Sequence, residues 1–284
     1  MHAATKDTVL VGLIGAGIQP SRTPAMHERE GAEQRLTYIY KKIDLEVLGI
    51  GPEALPDLLI AAERMGFAGV NVTYPCKQSV IPLLHELSPD AAALGAVNTV
   101  VFNGSRRIGH NTDWRGFAES FRKELPDAPR KQVVQFGAGG AGAAVANAAL
   151  TLGVERLAVI DVEPARADRL ARELCKRFGD KRAASSNDGS AAVAVADGLI
   201  NATPMGMAKY PGMPVAAETL RPDLWVADIV YFPLETELLL AARACGCRTM
   251  SGAGMAVFQA AAAFRLFSGR EANAERMLRH FETM

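Results

Sequence analysis

Gln132-Val-Val-Gln-Phe136, then Gly137-Ala138-Gly139-Gly140-Ala141-Gly142, then an alanine-rich run: this stretch decides the fold. The first five residues read as a buried strand and the alanine-rich segment as a helix, so the glycines occupy a strand-to-helix turn. In that position each glycine has a mechanical purpose. The first permits the tight turn, the second lets backbone approach a pyrophosphate, and the third brings helix close to sheet. The helix N-terminus then faces the anion with unpaired N–H groups.

Nineteen residues beyond Gly142 stands Asp161, at the end of the next predicted strand, Leu157–Asp161. A carboxylate there accepts hydrogen bonds from the adenosine ribose hydroxyls. Together with Glu163 it would repel the 2′-phosphate of NADP. Asp161 can also be read as a helix cap ahead of Pro164, and Arg166 would weaken the inference if it folded over the ribose. The expected cofactor is therefore NAD, with NADP disfavoured, and the nucleotide contacts include Gly137 to Gly142, Asp161 and Arg166.

Working outward, short β-branched runs alternate with helical patterns along most of the chain, the mark of α/β architecture. Val9–Ile14, Tyr38–Ile43, Gly69–Thr73 and Val97–Phe102 read as strands. Thr23-Pro24 reads as a helix N-cap with proline in the first helical position, and Leu55, Leu58, Leu59 and Ala62 follow helical spacing. A helix bearing Phe117 and Phe121 leads to the polar turn Pro126–Pro129, and a second series begins there. It runs Gln132–Phe136, Leu157–Asp161, Gly198–Ala202 and Trp225–Val230, with helices between. Two helical patterns close the chain, near 255–267 and 271–281. Strands separated by helices imply parallel, right-handed crossovers. The expected architecture is an N-terminal α/β substrate domain, 1–114 with 255–284 packing back on it, plus a Rossmann-type doubly wound parallel-sheet domain, 115–254.

Composition narrows the function classes. The chain has 284 residues, with 31 basic against 31 acidic, so it lacks the electrostatic pull that nucleic-acid and anionic-membrane binders rely on. No stretch approaches the apolar length of a membrane span, and Val9–Ile14 is too short for a signal segment. Cys76, Cys175, Cys245 and Cys247 show neither metal-ligand spacing nor a disulfide framework, which suggests reduced thiols and a cytoplasmic protein. No metal site, nucleic-acid partner or membrane contact is expected.

Five further segments carry more polar chemistry than packing requires: Ser21-Arg-Thr23-Pro-Ala-Met-His27, Asn71-Val-Thr73-Tyr-Pro-Cys-Lys77, Gly95-Ala-Val-Asn98-Thr99, Gly109-His-Asn111-Thr-Asp113, and Gln259 on an otherwise apolar helix face. Singly, each has a plain reading: a cap, a surface lysine, a turn asparagine. His27 and His110 read as structural or surface residues. With Asn201-Ala-Thr203-Pro-Met-Gly206-Met207 and Asp228-x-x-Tyr231-x-Pro233 added, the chain resembles the shikimate dehydrogenase family over nearly its whole length. It departs from the usual pattern in two places. Ser21-x-Thr23 replaces a Ser-x-Ser pair, and Asp161-Val-Glu163 replaces an Asn-Arg-Thr motif suited to NADP. Both departures resemble the NAD-using quinate/shikimate branch.

The resemblance implies reversible hydride transfer between NAD and a ring secondary hydroxyl of a cyclohexane or cyclohexene carboxylate. It makes Lys77 and Asp113 the pair that exchanges the hydroxyl proton. Ser21 and Thr23 would hold the substrate carboxylate with Tyr231, and Thr73, Asn98 and Gln259 would read ring hydroxyls. Asn201, Thr203, Gly206 and Met207 would line the nicotinamide side, with Gly252 and Met255 near the ring. It further implies a cleft between the domains and a monomer or homodimer. Two other readings use the same residues: a shikimate- or aminoshikimate-specific dehydrogenase, and an NAD-sensing regulator without catalysis.

Overall fold

The computed structural model describes residues 8–284 and divides them into two compact units. One holds the chain up to Thr112 together with Gln259–Met284, and the other is Asp113–Phe258. Asp113, expected with the substrate domain, thus opens the second unit. It is the first residue of the helix Asp113–Glu124, whose Phe117 and Phe121 are anchored in that unit's core.

The first unit is built on a six-stranded sheet. Its strands are β1 (Thr8–Gly15), β2 (Thr37–Asp44), β3 (Gly69–Val72), β4 (Glu86–Leu87), β5 (Thr99–Asn103) and β6 (Arg106–His110), in the order β2-β1-β3-β5-β6-β4. The β1, β2 and β3 pairings are parallel, as the strand–helix alternation predicts, but β5 runs antiparallel to both β3 and β6. Asn103-Gly104 closes a hairpin between β5 and β6, and a two-stranded turn leaves no room for a crossover helix. Leu45, Leu55, Leu59, Val70 and Val100 pack in one core cluster, and Tyr38, Tyr40, Phe264 and Phe267 in another. The second includes three residues of the closing helix Gly252–Ser268: Ala263, Phe264 and Phe267. The last helix, Ala274–Phe281, is tied to the helix Thr23–Glu33 by the Arg276–Glu30 ion pair at 2.8 Å.

The second unit carries β7 (Gln132–Phe136), β8 (Arg156–Ile160), β9 (Ala183–Ser185), β10 (Gly198–Asn201), β11 (Trp225–Asp228) and β12 (Arg248–Met250). All pairings are parallel and the order is β12-β11-β10-β7-β8-β9. This is the doubly wound arrangement, with its reversal of strand order between β7 and β10, the place where such sheets bind ligands beyond their strand ends. The helix Pro164–Phe178 buries Ala167, Leu170, Ala171 and Leu174. That spacing is one face of an amphipathic helix against a sheet.

No helix among the described residues is long and apolar enough to cross a membrane. Nor do they contain a group of three or more His, Cys, Asp or Glu side chains able to hold a metal ion.

His27 lies fully buried, 3.0 Å from the Tyr38 hydroxyl through Nδ1 and boxed by Tyr40, Phe264 and Phe267. Burial pushes its pKa down to about 3, so the folded protein holds it neutral. A depressed pKa gives stability that is full above the unfolded-state value and fades as pH falls toward the folded one. The unfolding free energy of the wild type relative to His27→Gln should therefore fall by about 3 kcal/mol between pH 7 and pH 4. Urea titrations at the two pH values measure this, and an unchanged difference would contradict it.

Candidate active site

At the reversal point of the second sheet, the loop after β7 is held open by close backbone contact. Gly137 has φ +99°, and a Cβ there would lie 2.5 Å from the Ala202 carbonyl oxygen. A Cβ on Gly142 would lie 2.3 Å from the Gly137 carbonyl oxygen. A side chain at Gly137 would push its loop off the one after β10, and a side chain at Gly142 would push it off the helix Gly140–Thr151. Gly139 and Gly140 are exposed, and Gly139 occupies the helix N-cap without any side-chain cap bond. Ala138 and Ala141 lie half-buried between the glycines. The first N–H groups of this helix are thus left to an outside acceptor, and the cradle fits a dinucleotide pyrophosphate.

Asp161 stands directly after β8. Its carboxylate accepts the Ala138 N–H at 2.7 Å and the Glu163 N–H at 2.9 Å. It is therefore not the cap of the helix Pro164–Phe178, whose N-cap is Glu163. Instead it joins the glycine loop to the end of β8. Arg166 is paired with Glu163 at 2.7 Å, in a half-exposed ion pair. The guanidinium is thereby drawn to a carboxylate of its own helix turn.

The loop after β10 is ordered from below. Asn201 is fully buried and donates to the Met205 carbonyl at 2.9 Å and to Asp228 at 3.0 Å. Its oxygen accepts the Thr203 N–H at 3.1 Å and the Thr203 hydroxyl at 2.6 Å. With both ends of its amide engaged, Asn201 holds this loop in place. Thr203 is half-buried and Met207 is 41% exposed, while Gly206 is buried. Gly252 begins the helix Gly252–Ser268, and Met255, 7% exposed, belongs to the core with Trp225 and Met250. Tyr231, 40% exposed, is in this unit, whereas Ser21 and Thr23 are in the other.

In the first unit, β3 ends at Val72, and its chain continues through Thr73 and the cis Tyr74–Pro75 bond into the helical turn Cys76–Ser79, which carries Lys77. The Lys77 carbonyl accepts the Val97 N–H at 2.8 Å, setting the lysine's turn against the segment whose next residue is Asn98. Thr73 donates its N–H to Ile14 at 2.9 Å, and Ala16 donates to Tyr74 at 2.9 Å, so the ends of β1 and β3 are held together. Asp44 then clamps the loop leading to Ser21, accepting the Gly17 and Ile18 N–H groups and the Gln19 amide, each at 3.0 Å.

Thr23 differs from the expected N-cap. Arg22 takes that position, no side chain caps it, and Thr23 is the first helical residue, its N–H 3.4 Å from the Ser21 hydroxyl. Asn98 and Thr112 are buried and bonded to each other, and the Thr112 hydroxyl lies 3.4 Å from Gln259 Oε1. Asp113 is buried in the other unit.

Sequence reasoning missed three supporting residues. Gln135 is fully buried and donates to the carbonyls of Gly137 and Gly142 at 2.8 and 2.9 Å, pinning the glycine loop. A polar residue inside an apolar strand was the available signal. Val162 is 97% exposed beside Asp161, an apolar side chain held in water at the nucleotide end. Asp44 gave no signal beyond ending a strand.

Two family models match: the shikimate dehydrogenase substrate binding domain over residues 13–100, and the shikimate 5′-dehydrogenase C-terminal domain over residues 252–280. The chain is 58% identical to a shikimate dehydrogenase (NADP(+)) of Streptomyces avermitilis over 276 residues, 96% of this chain and 95% of that one. It is 50% identical to a quinate/shikimate dehydrogenase (NAD(+)) of Corynebacterium efficiens, covering 95% of this chain and 96% of that one. Among solved structures, quinate dehydrogenase from Corynebacterium glutamicum in complex with NAD superposes with a TM-score of 0.92 at 46% identity, covering 98% of this chain and 99% of that one. The relatives' names divide on the cofactor.

Asp228, fully buried, also accepts from Thr236 at 2.7 Å and from the Val230 N–H at 3.0 Å. Burial pushes its carboxyl up to about 6, against the pull of the Thr236, Val230 and Asn201 bonds. A raised pKa means the folded state binds the extra proton, so this contribution is full below the unfolded-state value and lost as pH rises through about 6. Relative to Asp228→Asn, the wild type should lose roughly 2–3 kcal/mol of unfolding free energy between pH 4 and pH 7. Denaturant midpoints of both proteins test this, and a difference that stays flat would contradict the assignment.

Proposed function

The chain belongs to the shikimate dehydrogenase family, and from that premise we propose that it is an NAD-dependent quinate/shikimate dehydrogenase. It interconverts a ring secondary hydroxyl and the matching ketone, 3-dehydroquinate or 3-dehydroshikimate. The observation that carries this reading is the Lys77 turn, bonded at its carbonyl to Val97 and so fixed next to Asn98. Oxidation of a ring hydroxyl requires a proton-exchanging group within hydrogen-bond reach, and the turn that carries Lys77 is bonded by its backbone to the segment that carries Asn98.

NAD, when bound, supplies the hydride acceptor. The loop Gly137 to Gly142 holds its pyrophosphate, Asp161 the adenosine ribose, and Val162 offers an apolar edge to the adenine. Thr203 and Met207 bound the nicotinamide end. Asp161 and Glu163 disfavour a 2′-phosphate, and the Arg166–Glu163 pair keeps the nearest guanidinium from countering them.

Lys77, with Asp113, takes the hydroxyl proton as the alcohol is oxidised and returns it in the reverse direction. The proton must pass to a group within hydrogen-bond reach of the reacting oxygen. Ser21 and Thr23 bind the ring carboxylate with their hydroxyls, which stand together at the start of the helix Thr23–Glu33. Thr73, Asn98 and Gln259 read ring hydroxyls. A site of buried amides rejects rings lacking those hydroxyls, because its own groups then lose their partners. Threonine in place of the usual second serine reshapes the carboxylate end, where quinate carries its extra hydroxyl. Four unpaired cysteines and the neutral charge balance fit a cytoplasmic enzyme, working as a monomer or homodimer.

Steady-state rates with NAD and NADP, crossed with shikimate and quinate, test the reading. Turnover of both acids with a higher kcat/KM for NAD is expected. A preference for NADP would contradict the Asp161 argument, and failure to turn over quinate would contradict the substrate assignment. Lys77→Ala should lower kcat about 100-fold or more while leaving the KM for NAD within about threefold. Near-normal turnover would remove Lys77 from the chemistry.

A further inference from the structure

Beneath the ring-reading residues of the first unit runs an unbroken chain of buried hydrogen bonds. The Tyr40 hydroxyl donates to Asn71 Oδ1 at 2.6 Å. Asn71 Nδ2 donates to the Thr99 hydroxyl at 2.9 Å and to the Asn98 carbonyl at 3.1 Å. The Thr99 hydroxyl donates to Asn98 Oδ1 at 2.9 Å, and Asn98 Nδ2 donates to the Thr112 hydroxyl at 2.9 Å. Last, the Thr112 hydroxyl faces Gln259 Oε1 at 3.4 Å. Tyr40, Asn71, Asn98, Thr99 and Thr112 are each no more than 5% exposed.

These links run in one direction; the Thr112 hydroxyl also stands 3.3 Å from Asn98 Oδ1, but that oxygen already accepts from the Thr99 hydroxyl at 2.9 Å and the Thr112 N–H at 2.8 Å, which leaves the Thr112 proton to Gln259. Each hydroxyl accepts from one neighbour and gives its single proton to the next, and each amide accepts through oxygen and donates through nitrogen. A hydroxyl or amide in such a chain cannot reverse alone without setting two donors or two acceptors face to face, and a buried group without a partner is expensive. The direction is therefore set where the chain begins. Tyr40 begins it, in an aromatic pocket with the His27 ring 4.9 Å away. Burial holds the Tyr40 hydroxyl well above the ordinary tyrosine range, so it keeps the proton it donates.

We propose that Tyr40 is a positioning residue for substrate recognition: through Asn71, Thr99, Asn98 and Thr112 it fixes the polarity of the relay, so that Gln259 offers its Nε2 hydrogens to ring oxygens. The proposal rests on the dehydrogenase reading for the identity of the ring and on the hydrogen-bond geometry for the relay itself. It adds a residue on β2 that makes its own hydrogen bond to Asn71, five links from Gln259.

The test is a double-mutant cycle on the full chain, read as kcat, KM for quinate and shikimate, and KM for NAD. Tyr40→Phe keeps the ring and removes the proton. It should raise the KM of the acids about fivefold to tenfold and leave that of NAD within about twofold. Thr99→Val breaks the relay further along and should act alike, whereas Thr99→Ser keeps the hydroxyl and should remain near wild type. In the Thr99→Val background, Tyr40→Phe should add less than about twofold, because a chain already broken transmits nothing more. Fold-changes that multiply, or a Tyr40→Phe protein with a lower melting temperature and unchanged KM values, would overturn the proposal.

The side-chain NH2 resonances of Gln259, identified by their loss in Gln259→Glu, give a readout that needs no turnover and decides the matter should Thr99→Val fail to fold. They should move in Tyr40→Phe, and resonances that stay in place overturn the relay. A wild-type protein inactive on both acids would instead remove the dehydrogenase reading, while the resonance shift would still decide the relay.

Discussion

A buried amide must find its partners inside the protein, and each unit meets that constraint near its strand ends. Asn71 and Asn98 in the first, and Asn201 in the second, stand at or just beyond strand ends with almost no solvent exposure. In meeting their hydrogen-bonding needs they tie together loops that sequence alone leaves separate. Asn98 joins the end of β3 to Thr112, and Asn201 joins the loop after β10 to Asp228 at the end of β11. Exposed side chains nearby inherit fixed positions from these anchors.

The same constraint explains what the sequence made legible. Strands of the second sheet, its glycine turn and the order of its helices follow from local patterning, since parallel strands buried on both faces read as apolar runs. The β5–β6 hairpin did not, although Asn103-Gly104 signals a turn, because Arg106-Arg107 give β6 no apolar alternation. The three-residue strands β9 and β12 are too short to show a period. Among the candidate site residues, Gln259 stands out in the sequence as a polar group on an apolar helix face, and Lys77 and Asn98 through the motifs that hold them. That Asn201 holds its loop from beneath is not visible there, since an asparagine at a strand end reads alike whether it faces a ligand or a neighbour. Tyr40 lies inside a predicted strand, where nothing in the pattern shows that its buried ring carries a hydroxyl bonded to Asn71.

The proposed preference for NAD turns on one short segment. In Asp161-Val162-Glu163 an acceptor, an exposed apolar group and a second acid follow directly on β8, and the nearest arginine is paired within the same turn. The carboxylate of Asp161 is already engaged with the Ala138 N–H, so it is aimed at the glycine loop rather than out to solvent. A relative 58% identical carries NADP in its name and others carry NAD, so cofactor preference changes within the family while the fold does not. A few side chains at one strand end suffice for that, because a ribose hydroxyl and a phosphate differ chiefly in charge.

Hydride transfer to NAD is the claim on which the functional account stands, and isotope transfer tests it most directly. The protein would be incubated with NAD and quinate carrying deuterium on the ring carbinol carbon, and the reduced cofactor examined by mass spectrometry. NADH heavier by the one transferred deuterium is the result expected. NADH without the label, or no reduction of NAD at all, would contradict the account.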